Sequence, residues 1–220
     1  MASGPAGTPP PLLIACALRI ERTALRSGRD RGAPERYEVL RTGMGPRAAE
    51  RAVGRALEQP QLLGAAVLAT GFCAGLLPGM SPGDLIVAEE TRDPRGTVAC
   101  AGTALLAEAL ARAVPGRTVH LGALTGSDHV VRGQERAQLR AAGAIGVDME
   151  SAATLWTAAR GGGAAGADRP VAAVRVIVDA PEHELVRIGT VRGGISAFRV
   201  LRALLPAFYD WHRSLLLPRR

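Results

Sequence analysis

Gly146-Val147-Asp148-Met149-Glu150-Ser151 lies between an apolar run and a helix-forming one, and Val174-Arg175-Val176-Ile177-Val178-Asp179 follows after one more helix. Each stretch ends a continuous apolar segment on a carboxylate. A continuous apolar run fits a strand covered on both faces, and open α/β sheets build ligand sites at the carboxyl ends of their strands. Two carboxylates brought to one edge can divide a reaction, one holding a hydroxylated ligand and the other giving a proton.

Working outward, short apolar runs alternate with amphipathic ones. The pattern predicts strands at 12–18, 37–41, 65–70, 84–88, 118–124, 144–147 and 171–178, and helices at 47–57, 103–113, 135–142, 149–159 and 194–213. Strands alternating with helices give an α/β fold with helices on both faces of the sheet. The last helix carries Pro206, where a kink is expected. Gly161-Gly162-Gly163-Ala164-Ala165-Gly166 reads as a flexible connector.

With 220 residues, 47% of them apolar, the chain can bury one core, and no shift in composition asks for two. We expect a Pro/Gly-rich leader over 1–10, one domain over 11–215 and a short basic tail over 216–220. No apolar run is long enough to span a bilayer and no signal-peptide pattern is present, so the expected location is cytoplasmic. Cys16, Cys73 and Cys100 are odd in number and widely spaced, which favours buried free thiols over disulfides or a metal cluster.

The net charge of +7 is carried by arginine alone, because the chain contains no lysine. That excludes a Schiff-base lysine and a phosphate-loop lysine. Aromatic residues make up 3%, too few for a base-stacking platform, and no recognition helix is visible, so a nucleic-acid partner is not expected. The C-terminal stretch 198–220 mixes aromatics, leucines and arginines, which fits a packing helix and also allows peripheral membrane contact.

Two small-residue segments follow consecutive strands. Thr42-Gly43-Met44-Gly45-Pro46 offers backbone N–H groups at a helix start, and Thr70-Gly71-Phe72-Cys73-Ala74-Gly75-Leu76 precedes Gly83-Asp84. Together with 147–150 and 175–179, in this order, they resemble the nucleoside phosphorylase and nucleosidase superfamily over nearly all of 12–191. The resemblance implies a three-layer sandwich with a central mixed sheet, no cofactor or metal, a small-molecule nucleoside substrate and a homodimer or larger assembly.

Carried onto this sequence, the resemblance makes Asp179 the general acid toward N7 of a purine. It has Glu150 bind the ribose hydroxyls, Met149 pack beneath the sugar and Glu21 activate the nucleophile. Gly71, Phe72, Val130 and Val131 line the substrate, whereas His129 is expected to be exposed. Related phosphorylases place Arg and Ser near the glycine loop, where this chain has Ala69 and Phe72. Phosphate would therefore fall to Arg19, Arg22, Arg41, Gly43 or Gly45.

Val178 before the acid, Asp148 in the Met-containing motif and the run Val178-Asp179-Ala180-Pro181-Glu182-His183-Glu184-Leu185 are similar to the hopanoid-associated phosphorylases. That implies phosphorolytic release of adenine from adenosylhopane. Two alternatives stay open: hydrolysis of methylthioadenosine, S-adenosylhomocysteine or futalosine, and a nucleoside sensor without turnover.

Overall fold

The structure, a computed structural model, describes residues 10–28, 36–161, 169–181 and 190–215. The connector at 162–166 and the leader lie outside these residues, apart from Pro10, as does the tail at 216–220. Eight strands, β1 (Leu12–Cys16), β2 (Tyr37–Arg41), β3 (Ala66–Gly75), β4 (Leu85–Asp93), β5 (Gly96–Ala99), β6 (Val119–Gly126), β7 (Ala144–Asp148) and β8 (Val171–Asp179), form one mixed sheet. Seven helices accompany it: α1 (Arg19–Ser27), α2 (Pro46–Leu57), α3 (Thr103–Ala113), α4 (Gln134–Ala141), α5 (Ser151–Arg160), α6 (Thr190–Ala203) and α7 (Leu205–Ser214).

The buried strands divide their side chains between two cores. Leu12, Ile14 and Cys16 of β1 face one side with α1, α3, α6 and α7, while Leu13 and Ala15 face the other with α2 and α5. On β8, Ala172, Val174 and Val176 join the first core, and Val171 and Ala173 the second. This is the three-layer arrangement expected of strands that are apolar without a break.

β1 runs parallel to β2 and β3, and β3 runs parallel to β8, so these four strands end at one edge. β8 then pairs antiparallel with β4, β4 parallel with β6, and β6 parallel with β7. β7 returns antiparallel to the end of β3, through Ala74–Val147 and Gly75–Gly146. The sheet thus curls until β3, β8, β4, β6 and β7 form a ring, filled by Cys73, Met80, Ile86, Ile177 and Ala180. The curl brings Asp148, at the end of β7, to the edge where β1, β3 and β8 finish.

Four elements differ from the sequence expectation. The first strand stops at Cys16 instead of 18, and α1, which the sequence pattern did not mark, follows it. β3 runs past Thr70 to Gly75, so the glycine segment is strand rather than loop. β4 extends to Asp93 and turns into β5, which was not expected. The C-terminal helix breaks at Leu204, before the expected kink at Pro206, because proline fits the first turn of a new helix. Cys16 and Cys73 are buried free thiols, whereas Cys100 is half-buried.

Candidate active site

Glu21 sits in the first turn of α1 and is 2% exposed. Its carboxylate accepts the N–H groups of Ala17 at 2.9 Å and Leu18 at 2.8 Å, capping its own helix. The other oxygen accepts the Phe72 N–H at 2.9 Å, tying α1 to β3. Gly71 makes this approach possible. Its φ is +136°, and a Cβ there would lie 2.5 Å from Glu21 Oε1 and 2.6 Å from Arg175 Nη1. Only glycine leaves that space.

Arg175 lies opposite Gly71 in the β3–β8 register and is 1% exposed. Its Nε meets Asp148 Oδ2 at 2.5 Å and donates to Ser151 Oγ at 2.8 Å, and Nη1 donates to the Thr70 carbonyl at 2.9 Å. Ser151 Oγ donates in turn to Asp148 Oδ2 at 2.6 Å. Burial pulls the guanidinium pKa down, but Asp148, Glu150 and Glu21 more than offset it and leave it raised. Asp148 is thus the counter-ion of a buried arginine, a role the sequence reading left unassigned. A cation inside the apolar run 171–178 was the available signal, since buried charges require partners.

Glu150 is the N-cap of α5, and its Oε1 accepts the Gly45 N–H at 2.8 Å. Burial raises the Glu150 pKa, Asp148 and Glu21 add to the rise, and Arg175 and the Gly45 bond oppose it. The Gly43–Gly45 turn, with φ of +86° and +85°, therefore holds a carboxylate with its second glycine rather than leaving both N–H groups to an anion. Of the other phosphate candidates, Arg19 and Arg41 are exposed and Arg22 is half-buried.

Asp179 ends β8 beside a cavity of about 200 Å³ lined by Val130, Val131, Met149, Val178 and Arg136, among others. Phe72 is half-buried and packs on the first core. Arg136, from α4, was missed by the sequence reading, and nothing in its exposed-looking helix marked it. It pairs through Nη2 with Asp179 Oδ2 and donates through Nε to the Val131 carbonyl at 3.1 Å.

A larger cavity of about 610 Å³ shares Met149 and His129 with the first. Its charged groups partner one another. Asp93 binds Arg95, and His129 reaches Asp128 at 2.7 Å and Glu135 at 3.0 Å. His129 is exposed, as expected, and these two carboxylates raise its pKa. No group of three metal-ligating side chains occurs among the described residues.

The sequence profile of the Phosphorylase superfamily matches residues 35–206, and the chain belongs to that superfamily. Among solved structures it is similar to the 5'-methylthioadenosine/S-adenosylhomocysteine nucleosidase of Neisseria meningitidis in complex with methylthio-immucillin-A. That match has 19% identity and a TM-score of 0.74, and covers 93% of this chain and 99% of that one. The S-adenosylhomocysteine nucleosidase of Streptococcus pyogenes, with 5-methylthiotubericidin, matches at 16% identity and TM-score 0.74 over 97% and 100%. The Helicobacter pylori methylthioadenosine/S-adenosylhomocysteine nucleosidase matches at 16% and 0.73 over 93% and 99%. No match is found among curated protein sequences. At these identities the structural likeness fixes the fold.

Proposed function

We propose that this protein cleaves the N-glycosidic bond of a purine nucleoside, releasing adenine, with Asp179 as general acid. The observation that supports the reading is that Asp179 and Met149 line one cavity with Asp148, whose partner Arg175 is also acted on by Glu21 and Glu150. Breaking the bond leaves an electron-poor sugar and needs a protonated base. Met149 lies beneath the sugar and Glu150 takes its hydroxyls. Val130 and Val131 cover the base, with Gly71 and Phe72 on the sugar side. Glu21 orients the nucleophile. The neighbouring nucleosidases, crystallised with adenosine-like inhibitors, lend support by analogy of fold.

The favoured substrate is adenosylhopane, cleaved by phosphate, on the strength of the motif likeness at 147–151 and 178–185. Three exposed apolar side chains beside site residues suit a lipid 5′ substituent: Ile20 next to Glu21, Met44 next to Gly45, and Val130 on the base cavity.

One observation favours water as the nucleophile instead. Glu21, Asp148 and Glu150 all act on the buried Arg175, an excess of negative charge that opposes a phosphate dianion. The test is adenine release from adenosylhopane, methylthioadenosine, S-adenosylhomocysteine and futalosine, each with and without phosphate, with hypoxanthine followed for futalosine. Phosphate-dependent release from adenosylhopane alone supports the favoured reading. Phosphate-independent release from a soluble nucleoside makes the protein a nucleosidase, and binding without release makes it a sensor. A homo-oligomer belongs to the same proposal and is checked by light scattering.

A further inference from the structure

Arg136 lines the base cavity, and the reading above gives it no role. The helix that carries it, α4, buries none of its residues. Its contacts with the site are polar: Glu135 with His129 at 3.0 Å, and Arg136 with the Val131 carbonyl at 3.1 Å and with Asp179. The Arg136 and Asp179 side chains are 12% and 17% exposed, and both line the cavity. Desolvating a guanidinium and a carboxylate together is costly, and the packing of α4 does not require it, because the helix is already held by Leu139, which packs on Val131 and Val147.

The pair is also incompletely bonded. Arg136 Nη1 and Asp179 Oδ1 are shielded from solvent and have no partner among the described residues, while Nη2 holds Oδ2 and Nε holds the segment that covers the base. Oδ1 is therefore the carboxyl oxygen with capacity left for a ligand.

We infer that Arg136 is a positioning residue for the general acid: it fixes Asp179 through Oδ2 and neutralises the carboxylate that forms when Asp179 gives up its proton. This rests on the base-release reading. The proton on Asp179 Oδ1 moves to N7, and the C1′–N9 bonding pair withdraws into the purine, which departs as a neutral base. The incoming oxygen bonds to C1′: water loses a proton to Glu21 as it adds, whereas phosphate adds as an anion and loses none. Asp179 is left anionic beside the guanidinium and takes a new proton from solvent after the base has gone. Asp179 takes up its proton on Oδ1, the oxygen without a partner, when the nucleoside binds; relative to that protonated acid, charge develops as the proton leaves, so the adjacent cation stabilises the transition state.

The experiment compares the full-length protein with Arg136→Gln, Arg136→Lys and Asp179→Asn. The substrates are adenosylhopane in detergent and methylthioadenosine, each beside its N7-methylated counterpart. An N7-methylated base is already cationic and leaves without a proton, so its release bypasses the acid. We expect Arg136→Gln to lower kcat on the parent nucleoside at least about tenfold, with KM within about threefold. Release from the N7-methylated nucleoside falls by much less than release from the parent nucleoside, circular dichroism shows the variant folded, and Arg136→Lys recovers part of the loss. Equal slowing on both nucleosides, or none on either, overturns the role of Arg136 alone. Parental turnover by Asp179→Asn, or no release by the parent protein from any of the four, overturns the base-release reading and this inference with it.

Discussion

The cluster around Arg175 and the corner at Asp179 are ion pairs at the same sheet edge, the first buried and the second half-buried, and they are completed differently. Arg175 is met by Asp148, Ser151 and the Thr70 carbonyl, and Glu21 by three backbone N–H groups. Among the described residues, the buried side-chain atoms without partners include Arg136 Nη1 and Asp179 Oδ1 but none from Arg175, Asp148 or Glu21. Under the proposed function, the sugar side is organised before substrate arrives, whereas the base side keeps unused hydrogen-bonding capacity. A preformed electrostatic frame costs little reorganisation during reaction. An unmatched donor and acceptor are tolerated where a ligand completes them.

The comparison breaks most visibly at Arg175. Arg175→Met leaves Asp148 buried without its counter-ion, and urea denaturation should show a loss of about 3–5 kcal/mol. Gly71→Ala should cost about 2–4 kcal/mol, because the added methyl meets Glu21 and Arg175 at a φ that side chains rarely adopt. A Gly71→Ala protein as stable as the parent would mean that the cluster is looser than its contacts imply.

Glu150 sharpens the contrast through pH. Its pKa is raised above the ordinary 4.5, so the folded state disfavours the charged form. The stability it contributes is present below 4.5 and lost as pH rises through the folded value. Glu150→Gln should therefore raise Tm at neutral pH, with the gain closing as pH falls toward 4.5, while nucleoside affinity drops. At the rim, His129→Gln should leave Tm unchanged, since the ring is exposed and its partners are solvated.

Much of this architecture was legible because the strands are apolar on both faces: β2 matches its expected span, and β1, β7 and β8 differ from theirs only at one end. α1 was hidden because it buries only Glu21, Ala24 and Leu25, a narrow stripe that includes a charge. The far half of β3 was hidden by Gly71 and Gly75, which read as turn residues but serve close approach to Glu21, Arg175 and Met80. Glu150 and Asp179 stood out as carboxylates at the ends of apolar runs, whereas Glu21 entered only through the family resemblance. Arg136 did not stand out, because its role depends on α4 folding over a strand 43 residues away in sequence.

The central claim is that Asp179 protonates the departing base, and base release by Asp179→Asn beside the parent protein tests it directly, with calorimetric binding of adenine to both. Asparagine keeps the shape and removes the proton. The account predicts that release falls by about 10²–10⁴ while adenine affinity stays within about tenfold. Release at the parental rate would contradict it.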